Sequence, residues 1–420
     1  MSAKVFLAFV IVSISSMFPN NAFMNAHEYF YYKLRNVTYD GNATLSDVTP
    51  MQSEFEAFIT VFGGVACVLG NLLNVFATKL ISNTGRVIFG HVLVVAVFVP
   101  TMALTYIDFD GAQTFFFWIS LAMISIACFG SLGLIAGGVL GLSAQFPAKY
   151  TQAVMIGQSL SGVMAASLSI FCQAATSNVI LNGRSYFIFC FFWTVLSVFV
   201  YMYLVNQQES AQDQSYSRLT LEDDFVEDVD NEERPPSPRD YVVESFTEQS
   251  KEVLRECGLD LASVSLVLIV TLCAYPALTS LVKSTSRNPT WNAYFSSLVA
   301  FLLYNIGDLI GRSTASAFPM SKKWLFWLTV ARSVLIPLIA ACNVQPRHHT
   351  HVVIPLDGVF ITFVFLLAFS HGFCITNGTM SACKSTPENL KELTGSIISL
   401  VCVIAATVGA VFGVIALQFV

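Results

Sequence analysis

Long apolar stretches alternate with short polar breaks along almost the whole chain, and each stretch is of membrane length. A crossing helix needs about 20 mostly apolar residues. Read with that requirement, the chain predicts roughly eleven crossings: 4–24, 54–79, 86–107, 114–144, 151–173, 185–205, 258–282, 292–315, 323–343, 353–380 and 394–418. Only one polar break is long. Residues 206–256 are rich in Glu, Asp and Ser, include Glu222-Asp223-Asp224 and Arg234-Pro235-Pro236-Ser237-Pro238, and hold too few apolar side chains to fold alone. They predict a disordered linker, in which Ser237, followed by proline and flanked by Arg234 and Arg239, is a candidate phosphorylation site. The expected fold is an all-α polytopic membrane protein: a six-helix bundle over 1–205, the acidic insert over 206–256, and a five-helix bundle over 257–420, closing on a central cavity.

Composition agrees with the pattern. The chain is 55% apolar and 11% charged, whereas about 25% charged residues is usual for a soluble globule. Its ten cysteines fall almost entirely inside apolar segments, so they read as small buried hydrophobes rather than a disulfide framework or a zinc site. The net charge of −6 comes mostly from the insert and gives no sign of nucleic-acid binding. No phosphate-binding loop accompanies a soluble domain, so neither ATP coupling nor a cofactor is expected, and nothing points to an enzyme.

Lysine and arginine set the orientation, because short cytoplasmic loops accumulate them. With the first helix running outward, Lys4, Lys79, Arg86, Lys149, Lys322, Lys323, Lys384 and Lys391 collect on the cytoplasmic side, with the basic residues of the insert. The outer side holds only Lys33, Arg35, Arg184, Lys283, Arg287 and Arg347. The N-terminus is then cytoplasmic, the C-terminus extracellular, and the plasma membrane the default location. The outer loop 25–53 carries two N-glycosylation sequons, at Asn36 and Asn42. Lys4 before a short apolar run also fits a signal peptide, but Pro19-Asn20-Asn21 interrupts the end and favours a retained span.

The chemistry sits inside the eighth crossing. Tyr304-Asn305-Ile306-Gly307-Asp308-Leu309-Ile310-Gly311-Arg312 places Asn305, Asp308 and Arg312 at i, i+3, i+7 on one helix face. Charges at bilayer depth cost about 2.5–3.5 kcal/mol on insertion scales, so they turn to a partner or a wet cavity. The acid precedes the base by four residues, the favourable order for a pair. Two readings stay open at this point: an interhelical latch, or a direct role with a solute whose hydroxyls the guanidinium and carboxylate would engage. Gln158, Arg332 and Asn377 add polar groups on other crossings, a spread that fits a solute site between bundles. Arg332 reads as structural. His348, His349 and His351 read as a solvated external tract, and His91 and His371 as packed, hydrogen-bonded side chains.

Several stretches together resemble the equilibrative nucleoside transporter family. Trp291, Tyr294-Phe295, Phe301-Leu302, Asn305, Gly307-Asp308 and Gly311-Arg312 follow its eighth-helix pattern, and Arg332, Ile336-Pro337, Cys342-Asn343 and Asn377-Gly378 its ninth and tenth. Gly137-Gly138, Gly141-Leu142, Pro147, Tyr150-Thr151 and Gly157-Gln158 are similar to its fourth-to-fifth-helix signature. Thr271-Leu272, Tyr275-Pro276, Glu392, Thr394-Gly395 and Gly409-Ala410 extend the likeness to the end of the chain. The resemblance implies eleven helices in a major-facilitator-like arrangement and facilitated transport of nucleosides such as adenosine and uridine, or nucleobases, by alternating access. It also implies that Asp308 and Arg312 engage ribose hydroxyls, with Gln158, Asn305 and Met24 near the ligand and Arg332, Asn377 and Asn21 in gating or structural roles. Two departures bear on base preference: Pro19-Asn20-Asn21 stands where the family commonly has Pro-Trp-Asn, and Ala136 where a glutamine is common. An organic-cation carrier of the same family would be expected to hold an acid where Gln158 stands. A membrane protein that binds nucleosides without moving them is the third alternative.

Overall fold

The computed structural model describes residues 3–37, 49–176, 178–223, 246–345, 347 and 351–419, and it holds no strand among them. In chain order the helices are α1 (Ala3–Asn25), α2 (His27–Lys33), α3 (Pro50–Phe76), α4 (Asn83–Leu104), α5 (Gln113–Cys128), α6 (Ala136–Ala144), α7 (Ala148–Ala175) and α8 (Val179–Asp223). They continue as α9 (Phe246–Ala274), α10 (Pro289–Phe295), α11 (Tyr304–Thr314), α12 (Lys322–Ala331), α13 (Leu335–Ala340), α14 (Asp357–Ser385) and α15 (Lys391–Gln418). The π-helical stretch Phe129–Ile135 joins α5 to α6, and another, Ser296–Leu303, joins α10 to α11. Such wider turns are rare and change which faces the following residues present. The second ends two residues before Asn305.

Local sequence explains several boundaries. Thr49 and Gln52 form a reciprocal capping box that starts α3: the Gln52 amide donates to Thr49 Oγ1 at 3.1 Å and the Thr49 amide to Gln52 Oε1 at 2.9 Å. Asn288 caps α10, with Pro289 at the first helical position. Among the described residues, nine helices are long and apolar enough to cross a membrane, by length and composition. α7, with 28 residues, and the rod over 289–314 are also of membrane length, so the described residues are compatible with eleven crossings.

The apolar core starts from α1, which packs along α7 and α8. Phe9, Phe18 and Phe23 are fully buried, and Phe23 stacks on Phe98 with centroids 5.6 Å apart. This cluster is not confined to the first bundle. Val253, Cys257, Leu261, Cys383, Leu393 and Ile397 from α9, α14 and α15 belong to it, so the second bundle is welded to the first near the start of α15. Two smaller clusters serve the second bundle alone.

The insert differs in part from the disorder predicted for 206–256. α8 runs on to Asp223, and α9 begins at Phe246 and turns at Cys257, where φ is −121° and ψ 16°. Gln, Glu and Leu at these positions are good helix formers, and each segment extends a helix already nucleated by packing. Residues 224–245, including Ser237, lie outside the described residues, as do Asn42, His348 and His349.

At the opposite end the stretch around Lys33 and Arg35 is anchored. Lys33 Nζ donates to the Ile107 carbonyl at 2.7 Å, Arg35 pairs with Asp110 at 2.6 Å, and Gln113 donates to the Lys33 and Arg35 carbonyls. Burial holds the Lys33 ammonium below its ordinary pKa. Asn36 is exposed beside this anchor.

Candidate functional site

Asp308 and Arg312 are brought together as the spacing predicts. Arg312 Nε donates to both carboxylate oxygens, at 2.9 and 3.1 Å. The pair does not face a wet cavity here; each residue is only 5% exposed. The reason lies on α7, which packs antiparallel against α11 and fills the space. Arg312 Nη1 donates to the Met155 carbonyl at 3.0 Å, and Gln152 Nε2 donates to the carbonyls of Arg312 and Ser313, both at 2.9 Å. One and a half to two turns from Arg312, Asn305 Nδ2 bonds the Phe301 carbonyl, and its Oδ1 lies 2.8 Å from where a Cβ on Gly162 would stand. The guanidinium is therefore shared between its own bundle and the other one.

α14 closes the second side. A Cβ on Gly372 would fall 2.1 Å from the Asp308 carbonyl oxygen and 2.9 Å from the Arg312 nitrogen, so only glycine lets these backbones meet. Gly372→Ala is expected to force α14 off α11 at a cost of about 1–3 kcal/mol or more, as for overpacking generally. The check is a lowered melting temperature of the purified protein. Beyond Gly372, His371 Nε2 stands 3.9 Å from Asp308 Oδ1, and its Nδ1 is 3.0 Å from Thr271 Oγ1. Arg332 donates to Thr271 Oγ1, Ser370 Oγ and the carbonyls of Val267 and Leu367. These bonds tie the junction of α12 and α13 to α9, through Thr271 and Val267, and to α14, through Ser370 and Leu367.

The other predicted residues are spread around this centre. Gln158 lies on α7 one turn from Met155, partly exposed, and its amide has no hydrogen-bond partner among the described residues. Asn21 Nδ2 donates to Ser161 Oγ at 2.7 Å and so pins α1 to α7. Met24 is 43% exposed at the end of α1. Asn377 makes no bond to the pair itself: it accepts from the Met320 amide and donates to the Ala315 carbonyl, bracing the connection from α11 to α12.

Sequence reasoning missed Gln152, Met155 and Thr271 in the site, and it did not pair Arg86 with Glu392. Arg86, 3% exposed, donates to Glu392 Oε1 across the bundles and also to Asn74 and the Ile81 carbonyl. Beside it the chains meet backbone to backbone: a Cβ on Gly395 would lie 2.4 Å from the Gly141 nitrogen. A buried arginine at the start of an apolar helix was the available signal; its partner, 306 residues away, was not readable from spacing. These contacts, with those of Gln152 and Arg312, form a seam in the part of each bundle nearer Glu392. Two small surface pockets lie near the other end, against Tyr29, and neither touches Asp308 or Arg312.

The geometry can be set beside known proteins. Over 97% of its length the chain is 28% identical to human equilibrative nucleoside transporter 1, covering 95% of that protein. It is 24% identical to the yeast nucleoside transporter FUN26 over 87% of this chain and 75% of that one, from Saccharomyces cerevisiae. Among solved structures, a major facilitator proton:xylose symporter superposes with a TM-score of 0.59 at 11% identity, covering 99% of this chain and 94% of the symporter. A bacterial homologue of the iron transporter ferroportin gives 0.58 at 12% identity, with 100% and 98% covered. At such identities the structures speak for the fold alone, and that fold is the transporter architecture of two helical bundles. The family model described as nucleoside transporter matches residues 119–418, from the first half of α5 to the end of α15, and the chain belongs to that family.

Proposed function

We propose that this chain carries nucleosides, uridine and adenosine among them, down their gradient by exposing one site alternately to the two sides of the membrane. The observation that carries the reading is the Asp308–Arg312 ion pair, lying on the seam between the bundles in a chain of this family. A ribose is uncharged, and its hydroxyls both donate and accept. A carboxylate accepts from them and a guanidinium donates to them. In this reading Gln158 offers its amide to the base, and Asn305 and Met24 are further ligand contacts. That amide is neutral, which suits an uncharged solute better than a cation.

The shared guanidinium links binding to movement. A ligand shifts a two-state equilibrium only through its different affinity for the two states. Arg312 supplies such a difference, because opening the seam takes away the Met155 carbonyl and a ribose hydroxyl replaces it. Arg332, Asn377 and Asn21 keep the helices in register during the exchange. In this reading the Lys33 end faces outward at the plasma membrane, with both termini placed as the charge bias predicts, Asn36 and Asn42 glycosylated and Ser237 open to phosphorylation on the inner side. No ATP is consumed.

Purified protein in liposomes preloaded with unlabelled uridine is expected to accumulate labelled uridine transiently, and to do so with proton and sodium gradients collapsed. A protein that binds without transporting shows no such counterflow. Dependence on either gradient would overturn the equilibrative mechanism.

A further inference from the structure

The Asp308 carboxylate is faced from two sides, and only one of them is Arg312. On the other stands His371, 6% exposed, with Nε2 3.9 Å from Oδ1. The neighbouring bonds favour one position for the ring proton. Arg332 Nη2 can only donate, and it does so to Thr271 Oγ1 at 2.9 Å. The Thr271 hydroxyl keeps its own proton for the imidazole, whose Nδ1 lies 3.0 Å away. With Nδ1 accepting, the single proton of the neutral ring sits on Nε2, the nitrogen aimed at Asp308. His91 is the opposite case: its Nδ1 meets the Val87 carbonyl at 2.9 Å, so Nδ1 carries the proton and Nε2 stands bare toward the Ser197 and Ser15 hydroxyls, at 3.1 and 3.2 Å.

The ring is held in this pose. Gly372, the next residue, fixes α14 against the Asp308 backbone, and Arg332 is itself tied by the Ser370 hydroxyl and two carbonyls. At 3.9 Å the Nε2–H is beyond a hydrogen bond, while Arg312 occupies both oxygens. A small rotation of the carboxylate closes that gap once Arg312 turns toward a ligand. One oxygen is then tied down by the imidazole and the other is free to accept from a hydroxyl.

We propose that His371 is a positioning residue for sugar recognition: the Arg332–Thr271 relay fixes its Nε2–H, which takes Asp308 Oδ1 and leaves Oδ2 as the acceptor for a ribose hydroxyl. The inference rests on the reading that Asp308 meets the sugar, and it adds the group that aims it. It also names the specificity the group confers, for solutes with vicinal hydroxyls over those without.

The test is transport kinetics in liposomes, with uridine and 2′,3′-dideoxyuridine as the two substrates. His371→Leu is expected to raise KM for uridine about tenfold, the scale of one hydrogen bond to a charged group, and to leave KM for the dideoxy compound unchanged. His371→Gln places an amide N–H where Nε2–H stood and is expected to restore the uridine KM to within about twofold. Thr271→Val, which removes the hydroxyl that fixes the tautomer together with one acceptor of Arg332, is expected to shift the uridine KM in the same direction, and it keeps the test open should His371→Leu not assemble. Equal KM changes for both substrates, a glutamine variant as impaired as the leucine one, or an unchanged KM in Thr271→Val would each overturn the proposal. Wild-type protein that exchanges uridine normally while these variants behave so leaves the transport reading intact and removes only the role of His371. Wild-type protein that exchanges none removes both.

Discussion

Asp308→Asn is expected to cut uridine exchange about 10- to 100-fold per folded molecule, the range set by about 1.5–3 kcal/mol for a hydrogen bond to a charged group. The substitution keeps the shape of the side chain and deletes the charge. Arg312, 5% exposed, is left with the Met155 carbonyl and no counter-ion. Removing one partner of a buried pair commonly costs about 3–5 kcal/mol, so the amount of folded protein falls as well. The two effects separate in the double variant Asp308→Asn/Arg312→Gln, which buries no charge. It is expected to regain surface abundance and melting temperature while still failing to exchange uridine. Surface labelling together with tracer uptake decides the matter. A double variant that transports normally would reduce the pair to a structural latch.

Glu392→Gln is expected to open the seam. It strands Arg86, 3% exposed, against the neutral amide, the Asn74 and Ile81 groups remaining as partners. The Glu392 side chain is 31% exposed, so solvent screens part of the interaction, and a loss of about 1–3 kcal/mol is expected rather than that of a fully buried pair. That corresponds to a shift of about 10- to 100-fold toward the conformation open at this end. A cysteine introduced at Thr394, which is wholly buried in the seam, reports the change through its rate of maleimide labelling. Labelling as slow as in the Glu392 background would show that the ion pair does not hold this end shut. Exchanging the two charges is not expected to restore the seam, because a carboxylate at position 86 would face the Asn74 and Ile81 carbonyls.

What could be read in advance divides by the range of the interaction. Asp308 and Arg312 stood out because both charges lie on one turn of an apolar helix, and a pair four residues apart meets whatever the rest of the fold does. Arg332 was legible as structural, but its partners were not: two are backbone carbonyls of Val267 and Leu367, which any sequence supplies. Gln152 was hidden for the same reason, since it donates to carbonyls on α11. The apolar runs marked where the long helices lie, yet helix continued through 206–223, where a polar composition masks a segment carried along by α8. The packed state of Asp308 and Arg312 also followed from tertiary closure, with Met155 and Gln152 arriving from a different bundle.

The meeting of Gly395 with Gly141 bears on the thermodynamics of the cycle. Where two long side chains interlock, each closure freezes several rotors, and each opening releases them again, at up to about 2 kcal/mol for the most flexible types. Two main chains in direct touch have no rotors to freeze. This patch therefore presses the bundles together with little loss of side-chain entropy, and the balance between shut and open is left to the few charged groups around it.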